Sequence, residues 1–230
     1  MTAAEAAATG VAGAVLGGAA ASLVGLAVPG ALAAGASGAL AGWRGIYQWR
    51  APKGVAAFVL DSTWALPTTA AGLFAHAAAA VRGDAQYSPE LSRRRNRHVY
   101  GRGFQPRKGF AITLGNVVSG AGDVANPRRA RLVTDHEDVH VWQARWLGPA
   151  YPLAYGGFAA GGAVVGAVAA ALGKGRFAKL VETYGYYLNP LEYWAYSRDG
   201  HWPPSGIAPG IGPQRPVVRA FAGTTRGSSR

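Results

Sequence analysis

The sequence predicts a mainly helical α+β protein, and three observations lead to that fold class. Long stretches rich in alanine and glycine reach the length of membrane-spanning or buried helices. A short run with strand composition precedes a helix that carries strong signals at both ends. Hydrophobic residues make up 50% of the chain although its formal net charge is +12, so apolar and basic segments alternate along the sequence.

The first apolar stretch covers residues 6–42 and is followed by the first basic residue, Arg44. About 20 apolar residues suffice to cross a bilayer, so this stretch is long enough for a membrane span. Pro29-Gly30 interrupts it and predicts one kinked span followed by a second short helix. The N-terminus lacks the positive region of a secretory signal peptide, and basic residues follow the stretch. We therefore expect an uncleaved anchor whose C-terminal side is cytoplasmic.

Small residues recur in this stretch at the spacing that lets membrane helices approach closely. The two pairs are Gly13 with Gly17 and Gly38 with Gly42. The abundance of alanine and glycine produces the same spacing without any helix contact, so both interpretations stay open.

A second apolar stretch, residues 54–81, contains the acidic residue Asp61. Asp61-Ser62-Thr63 is typical of a cap for a helix that begins near Trp64, with Trp64 at a membrane interface. The alternative is a charged group inside the membrane, which would indicate a functional residue. The capping interpretation is favoured.

A basic segment follows, and it is interleaved with aromatic residues. Its members are Arg93, Arg94, Arg95, Arg97, His98, Arg102, Arg107 and Lys108, with Tyr100 and Phe104 between them. Such a cluster attracts anionic lipid headgroups, binds the phosphates of nucleic acid, or forms a solvated loop. No nucleic-acid-binding module is recognisable, which favours a lipid surface over nucleic acid as a partner.

Residues 109–118 are predicted to form one β-strand bounded by glycines. An edge strand at this place would accept an extended peptide by strand addition, whereas an ordinary core strand would not. A helix is then predicted from Pro127 to Leu147, because Asn126-Pro127 is a start signal and Gly148-Pro149 a stop signal.

The motif HExxH lies in the middle of this helix, at His136, Glu137 and His140. Residues four apart on a helix share a face, so the two imidazoles can converge on one tetrahedral zinc ion. Glu137 would then act as general base toward water on the metal. The chain has no cysteine, which excludes thiolate ligands and disulfides. Thr134 to Glu137 also fits a capping box, the interpretation in which the motif is accidental.

A catalytic zinc ion needs a third protein ligand, and three downstream side chains are candidates. Glu192 follows an Asn189-Pro190 helix start, Glu182 lies one segment earlier, and His201 lies in a Gly/Pro-rich turn. A third apolar stretch, residues 155–172, precedes Glu192. A single crossing there would separate Glu192 from the histidines, so the stretch must be a re-entrant hairpin, an interfacial helix or a buried helix. We favour a buried or interfacial helix.

The metal motif resembles that of the gluzincin metallopeptidases, in which a glutamate on a later helix completes HExxH. The nearest pattern is the ExxAD of membrane-bound prenyl-protein-type endopeptidases and their bacterial heat-shock relatives. Residues 192–195 match ExxA, and Tyr196 stands where those families have aspartate. The resemblance implies that His136, His140 and Glu192 bind zinc and that Glu137 is the base. It also implies a small zincin-like core, in which a strand precedes the HExxH helix and a glutamate-bearing helix follows it.

The departure at Tyr196 leaves the usual carboxylate partner of a metal-bound histidine unidentified. Asp135, Asp138 and Asp199 are substitutes that sequence cannot place. Donors for a developing oxyanion are equally numerous. They are Tyr184, Tyr186, Tyr187, Tyr193 and His201.

These features predict three regions. Residues 1–86 form an apolar membrane-associated region, residues 87–198 a zincin-like metal-binding domain, and residues 199–230 a flexible Gly/Pro/Arg-rich tail with a short docking element at 217–221. The expected protein is a membrane-associated zinc metallopeptidase acting on a peptide or protein, at a bacterial-type inner membrane with a cytoplasm-facing basic surface. Two alternatives are a catalytically silent metal-binding relative and a glycine-zipper membrane protein with an accidental HExxH.

Overall fold

The computed structural model describes residues 2–105, 107 and 109–218. These residues are mainly helical and include one small three-stranded sheet, which confirms the predicted α+β class. The chain forms two compact units, Met1–Ala154 and Tyr155–Arg230.

The first unit begins with two antiparallel helices, α1 (Ala3–Ser22) and α2 (Ala27–Arg44). The predicted kink at Pro29 is wrong, because the chain reverses direction before it, at residues 23–26. Gly25 has φ 76° there, a left-handed conformation that glycine adopts without steric cost. Pro29 lies in the first turn of α2, where its missing N–H costs no helical hydrogen bond.

The two helices touch along their small residues. A Cβ atom added at Gly13 would lie 2.6 Å from the carbonyl oxygen of Ala34, and one at Gly42 would lie 2.5 Å from that of Glu5. The Thr9 hydroxyl donates to the Gly38 carbonyl oxygen at 2.7 Å, across the interface. All four glycines with the four-residue spacing therefore lie in this contact, Gly17 beside Gly30 and Gly38 beside Thr9.

Helices α3 (Pro52–Ser62) and α4 (Leu66–Arg82) follow, and the favoured interpretation of Asp61 as a helix cap is wrong. Helix α4 begins at Leu66 without a side-chain cap. Asp61 ends α3 and is buried in an ion pair with Arg145, with Arg145 Nε 2.8 Å from its Oδ1. It also accepts hydrogen bonds from Tyr47 and Asn116. A buried carboxylate is tolerated because these partners replace its hydration.

The sheet has the order β1-β3-β2 and is preceded by a short helix α5 (Pro89–Ser92). Strand β1 (His98–Tyr100) is parallel to β3 (Val117–Ser119), and β2 (Ile112–Leu114) is antiparallel to β3. The single strand predicted for residues 109–118 is therefore wrong. Gly115-Asn116 turns the chain between Leu114 and its partner Val117, with Gly115 at φ 57°. Strand β2 lies at an edge of the sheet.

The helix predicted from Pro127 to Leu147 has these bounds, but it is not regular. Helix α6 (Pro127–Arg131) leads into a π-turn (Leu132–Glu137), and α7 (Asp138–Leu147) continues it. The Asn126 side chain accepts from the Arg128 N–H at 2.9 Å, which confirms the start signal. His136 and Glu137 lie in the π-turn, a feature that occurs often at functional sites.

Helix α8 (Tyr151–Ala171) follows a 3₁₀ turn, and in the second unit the chain returns along it. The returning segment consists of α9 (Phe177–Glu182) and a second π-turn (Thr183–Tyr187). Gly162 lies beside the backbone of Tyr184, and Gly166 beside that of Leu180. Most of α8 is not buried, so of the two expected arrangements the buried helix is wrong, whereas the interfacial helix stays a prediction.

Helix α10 (Pro190–Arg198) completes the regular structure of the second unit. Residues 199–218, the described part of the expected tail, have no helix or strand and are joined to the unit by hydrogen bonds. The Ala208 N–H donates to Thr183 at 2.9 Å, and the Val217 N–H donates to Ser197 at 3.0 Å. Of the expected docking element at 217–221, residues 219–221 lie outside the described residues.

Two helical segments, Ala3–Ser22 and Pro127–Ala171, are long and apolar enough to cross a membrane. The second owes this property to α8. A signal sequence or the core helix of a soluble protein has the same length and composition.

Part of the basic segment forms ion pairs within the protein. Arg94 forms an ion pair with Glu5, and the buried Arg97 pairs with Asp138. Arg93, Arg95 and Arg102 are exposed, whereas Lys108 lies outside the described residues.

Candidate metal centre

The two histidines of HExxH converge inside the first unit. Their Nε2 atoms are 3.3 Å apart, and both side chains are buried. Two nitrogen ligands at about 2.0–2.1 Å from a tetrahedral metal ion would be about 3.3–3.4 Å apart. The observed separation therefore suits a shared ion as well as a direct imidazole contact.

The second nitrogen of His140 is held by its own helix. Nδ1 of His140 lies 2.9 Å from Gln143 Oε1, and because a carbonyl oxygen only accepts, Nδ1 carries the proton. Nε2 is then a lone-pair donor toward a metal ion. Gln143 thus supplies the contact that a carboxylate usually makes to a metal-bound histidine. Sequence analysis missed it, although Gln143 lies three residues after His140 and so shares its helical face.

Glu137 is held from the sheet. The Thr113 hydroxyl, on the edge strand β2, donates to Glu137 Oε2 at 2.7 Å, and Glu137 is buried. This hydrogen bond fixes the orientation of the Glu137 carboxylate, which lies between His136 and His140 in the sequence. Thr113 carried no sequence signal, because the contact joins residues that are far apart in sequence.

Glu192 belongs to the second unit and is positioned by helix α10. Asn189 caps this helix by accepting from the Leu191 N–H at 3.1 Å, which confirms the Asn-Pro start signal. The Tyr155 hydroxyl donates to Glu192 Oε1 at 2.7 Å. Tyr155 is a further partner that sequence analysis did not identify.

Two half-buried tyrosines, Tyr186 and Tyr196, lie close enough to this carboxylate to respond to its charge. Burial, and then the nearby Glu192 charge, raises the pKa of Tyr186 far above its usual range. Burial also raises the pKa of Tyr196, whose hydroxyl lies 3.4 Å from that of Tyr186. Both phenols therefore stay protonated and able to donate at neutral pH.

His136, His140 and Glu192 form a buried group that can bind a metal ion. Each offers one ligand atom, and these atoms lie within 4.8 Å of one another. Among the described residues, no other group of three His, Asp or Glu side chains has this property. Imidazole with carboxylate is the donor set of catalytic zinc sites, although it also accommodates other transition metals.

The other candidate residues have different contacts. Asp138 pairs with Arg97, and Asp199 lies 3.4 Å from His201. Tyr193 donates to the Arg215 carbonyl oxygen. Glu182 ends α9 and is not part of the metal-binding group.

Comparisons of the chain with protein-family models, with curated proteins and with solved structures gave no match. The functional argument therefore depends on the chemistry of the group itself.

Proposed function

We propose that the chain is a zinc-dependent metallopeptidase of gluzincin type. The buried His136, His140 and Glu192 group, with Glu137 next to the first ligand, supports this proposal best. Two imidazoles and one carboxylate leave one tetrahedral position open, the composition of a catalytic rather than a structural zinc site.

Zinc bound to this group would polarise a substrate carbonyl and make water nucleophilic at neutral pH. Glu137 would accept a proton from the attacking water and transfer it to the leaving amine. The Thr113 hydroxyl holds one carboxylate oxygen at 2.7 Å, so the other oxygen is the one available for proton transfer. Gln143 keeps His140 in the required tautomer.

Strand β2 offers a binding mode for the substrate. It lies at the edge of the sheet, is half-buried and carries Thr113. An extended peptide added beside β2 would bring its backbone close to Glu137 by main-chain pairing. The proposed substrate class is therefore an extended segment of a peptide or protein.

Zinc content and peptide cleavage together test this function. We expect about one zinc ion per chain in the purified wild type, as one tetrahedral site requires, and cleavage of a mixed peptide library. Glu137→Gln should keep the zinc and lose the cleavage, because the amide cannot accept the proton. Zinc without cleavage in both proteins would favour a silent relative, the alternative suggested by Tyr196. Absence of zinc after it is offered at neutral pH would overturn the proposal.

The third ligand is tested by a matched pair of substitutions. Glu192→Ala should lower zinc occupancy, and Glu182→Ala should leave it unchanged, because only Glu192 belongs to the buried group. Both proteins lose one carboxylate from a helical segment of the second unit. The reverse pattern would overturn the choice of ligand.

A further inference from the structure

The α1–α2 hairpin has an apolar outer surface wherever α3 and α4 do not pack against it. Between Ala6 and Trp43 the sequence contains no charged residue. Large apolar side chains are exposed on both helices and on the loop between them. They are Val11, Val15, Leu23, Val24, Leu26, Val28, Leu32 and Leu40. This surface extends over both helices and includes the tip of the hairpin, where no other element of the chain covers it.

The backbone N–H groups of the tip, residues 23–26, all donate hydrogen bonds within the hairpin. The N–H groups of Leu23 and Val24 donate to Ala20 and Ala21, and those of Gly25 and Leu26 donate to Ser22 and Ala21. The Ser22 hydroxyl donates to the Ala19 carbonyl oxygen at 2.7 Å. Such bonds are common at helix ends, and in hydrocarbon they are required because each unpaired polar group is costly.

Charged and aromatic residues gather at the opposite end of the hairpin, its base. Glu5 lies in the first turn of α1, and Arg44 ends α2. Glu5 accepts hydrogen bonds from Trp49 and Arg94, and Trp43 is exposed. Tryptophan and basic residues are the groups that favour the membrane interface and anionic headgroups.

We propose that the α1–α2 hairpin inserts tip first into a lipid bilayer and that its two ends stay on the same side. Helix α1 has 20 residues and is therefore about 30 Å long, close to the thickness of the hydrocarbon layer. The tip carries no side chain for the far headgroups, so it ends within the hydrocarbon. The basic base lies among the headgroups. This inference goes beyond the proposed function and does not require a bound metal.

A matched pair of charge substitutions tests the insertion. Leu23 at the tip and Val81 near the end of α4 are both 88% exposed, so an aspartate at either position faces solvent in the free protein. We expect Leu23→Asp to lower the partition of the full chain into phosphatidylcholine and phosphatidylglycerol vesicles by more than about tenfold, since a charge in hydrocarbon is costly. Val81→Asp should leave partition nearly unchanged. Equal effects of both substitutions would overturn the proposal.

Topology is tested by single cysteines, because the natural chain has none. In sealed vesicles, a membrane-impermeant maleimide should label Thr2→Cys and Arg50→Cys to the same extent. A polarity-sensitive dye on Val24→Cys should shift to the blue and be quenched by nitroxides on lipid acyl chains. Labelling of Thr2 and Arg50 from opposite sides would overturn the hairpin topology. A tip dye that is buried by self-association without vesicles would identify a second copy as the occupant and would also overturn the proposal.

Discussion

At the scale of single residues, the arrangement around His140 depends on one amide. Gln143 Oε1 accepts a hydrogen bond from Nδ1 of His140, which leaves the Nε2 lone pair free for the proposed metal ion. The Gln143→Leu substitution removes the acceptor and keeps most of the volume. We expect zinc affinity to fall about 10–100-fold, as is usual when the partner of a metal-bound histidine is lost. Titration against a competing chelator measures this change.

Gln143→Glu serves as the control for that experiment, because a carboxylate oxygen can accept the same hydrogen bond from Nδ1 of His140. Its affinity for zinc should remain near that of the wild type. A fall of the same size in both variants would show that the amide acts by packing alone.

Thr113 gives a second prediction at this scale. Thr113→Val removes the hydroxyl that donates to Glu137 and preserves the shape of the side chain. A hydrogen bond to a charged group contributes about 1.5–3 kcal/mol, so we expect cleavage to slow by about tenfold or more while zinc content stays the same. Steady-state peptide cleavage with metal analysis measures both quantities. Thr63→Val, which removes a hydroxyl bonded to Val59 within its own helix, should not slow cleavage.

Sequence spacing could predict the local part of this site and no more. His136, Glu137 and His140 share a helix, so their proximity follows from its periodicity. Gln143 lies on the same face, so its proximity to His140 could have been predicted from the same periodicity. Thr113 and Tyr155 come to Glu137 and Glu192 from distant segments, and a single sequence has no periodicity that connects them.

At the scale of elements, a glycine at a helix contact is not equivalent to a glycine on the open side of a helix. Thr9 backbone atoms occupy the space that a Cβ at Gly38 would need, whereas Gly161 has open space around it. We expect Gly38→Ala to lower the free energy of unfolding by about 1–3 kcal/mol through overpacking. Gly161→Ala should raise it by about 0.5–1 kcal/mol through helix propensity.

Denaturant unfolding of the two variants, under identical detergent conditions, checks this contrast. Equal destabilisation by both substitutions would mean that glycine acts through chain flexibility and not through close helix contact.

Element boundaries were predicted where a local cap defines them. Asn126-Pro127 and Asn189-Pro190 both begin helices, because each asparagine side chain accepts a nearby helical N–H. The hairpin at Gly115-Asn116 was missed, since the run around it has continuous strand composition. The return of the chain after α8 depends on contacts between Gly166 and Leu180, which no local pattern indicates.

At the scale of the whole molecule, two histidines make stability depend on pH. His76 of α4 lies 2.8 Å from the Tyr100 hydroxyl and packs edge-on against the buried His98. Burial, and then the Arg44 charge, lowers the pKa of His76 to about 4. Burial also lowers the pKa of His98 well below its usual range.

Because the unfolded chain binds these protons more readily, stability is complete above about pH 6.5 and falls as the pH decreases toward about 4. The shift at His76 corresponds to a loss on the order of 3 kcal/mol. Urea unfolding at a series of pH values should show this decrease, and His76→Phe should reduce its slope. His201→Ala, which alters a partly exposed histidine, is the comparison. An unchanged slope in His76→Phe would contradict the assignment.

The π-turn before α7 has a consequence for how this chain tolerates changes of length. A π-turn accommodates one residue more than an α-helical turn over the same stretch of helix. Deleting one residue between Arg131 and His136 would allow ordinary α-helical pairing over the same stretch, so the helical segments on either side would keep their faces. The π-turn that places His136 and Glu137 would be lost. A single-residue deletion within residues 132–135 should therefore leave the fold intact and abolish the proposed metal binding.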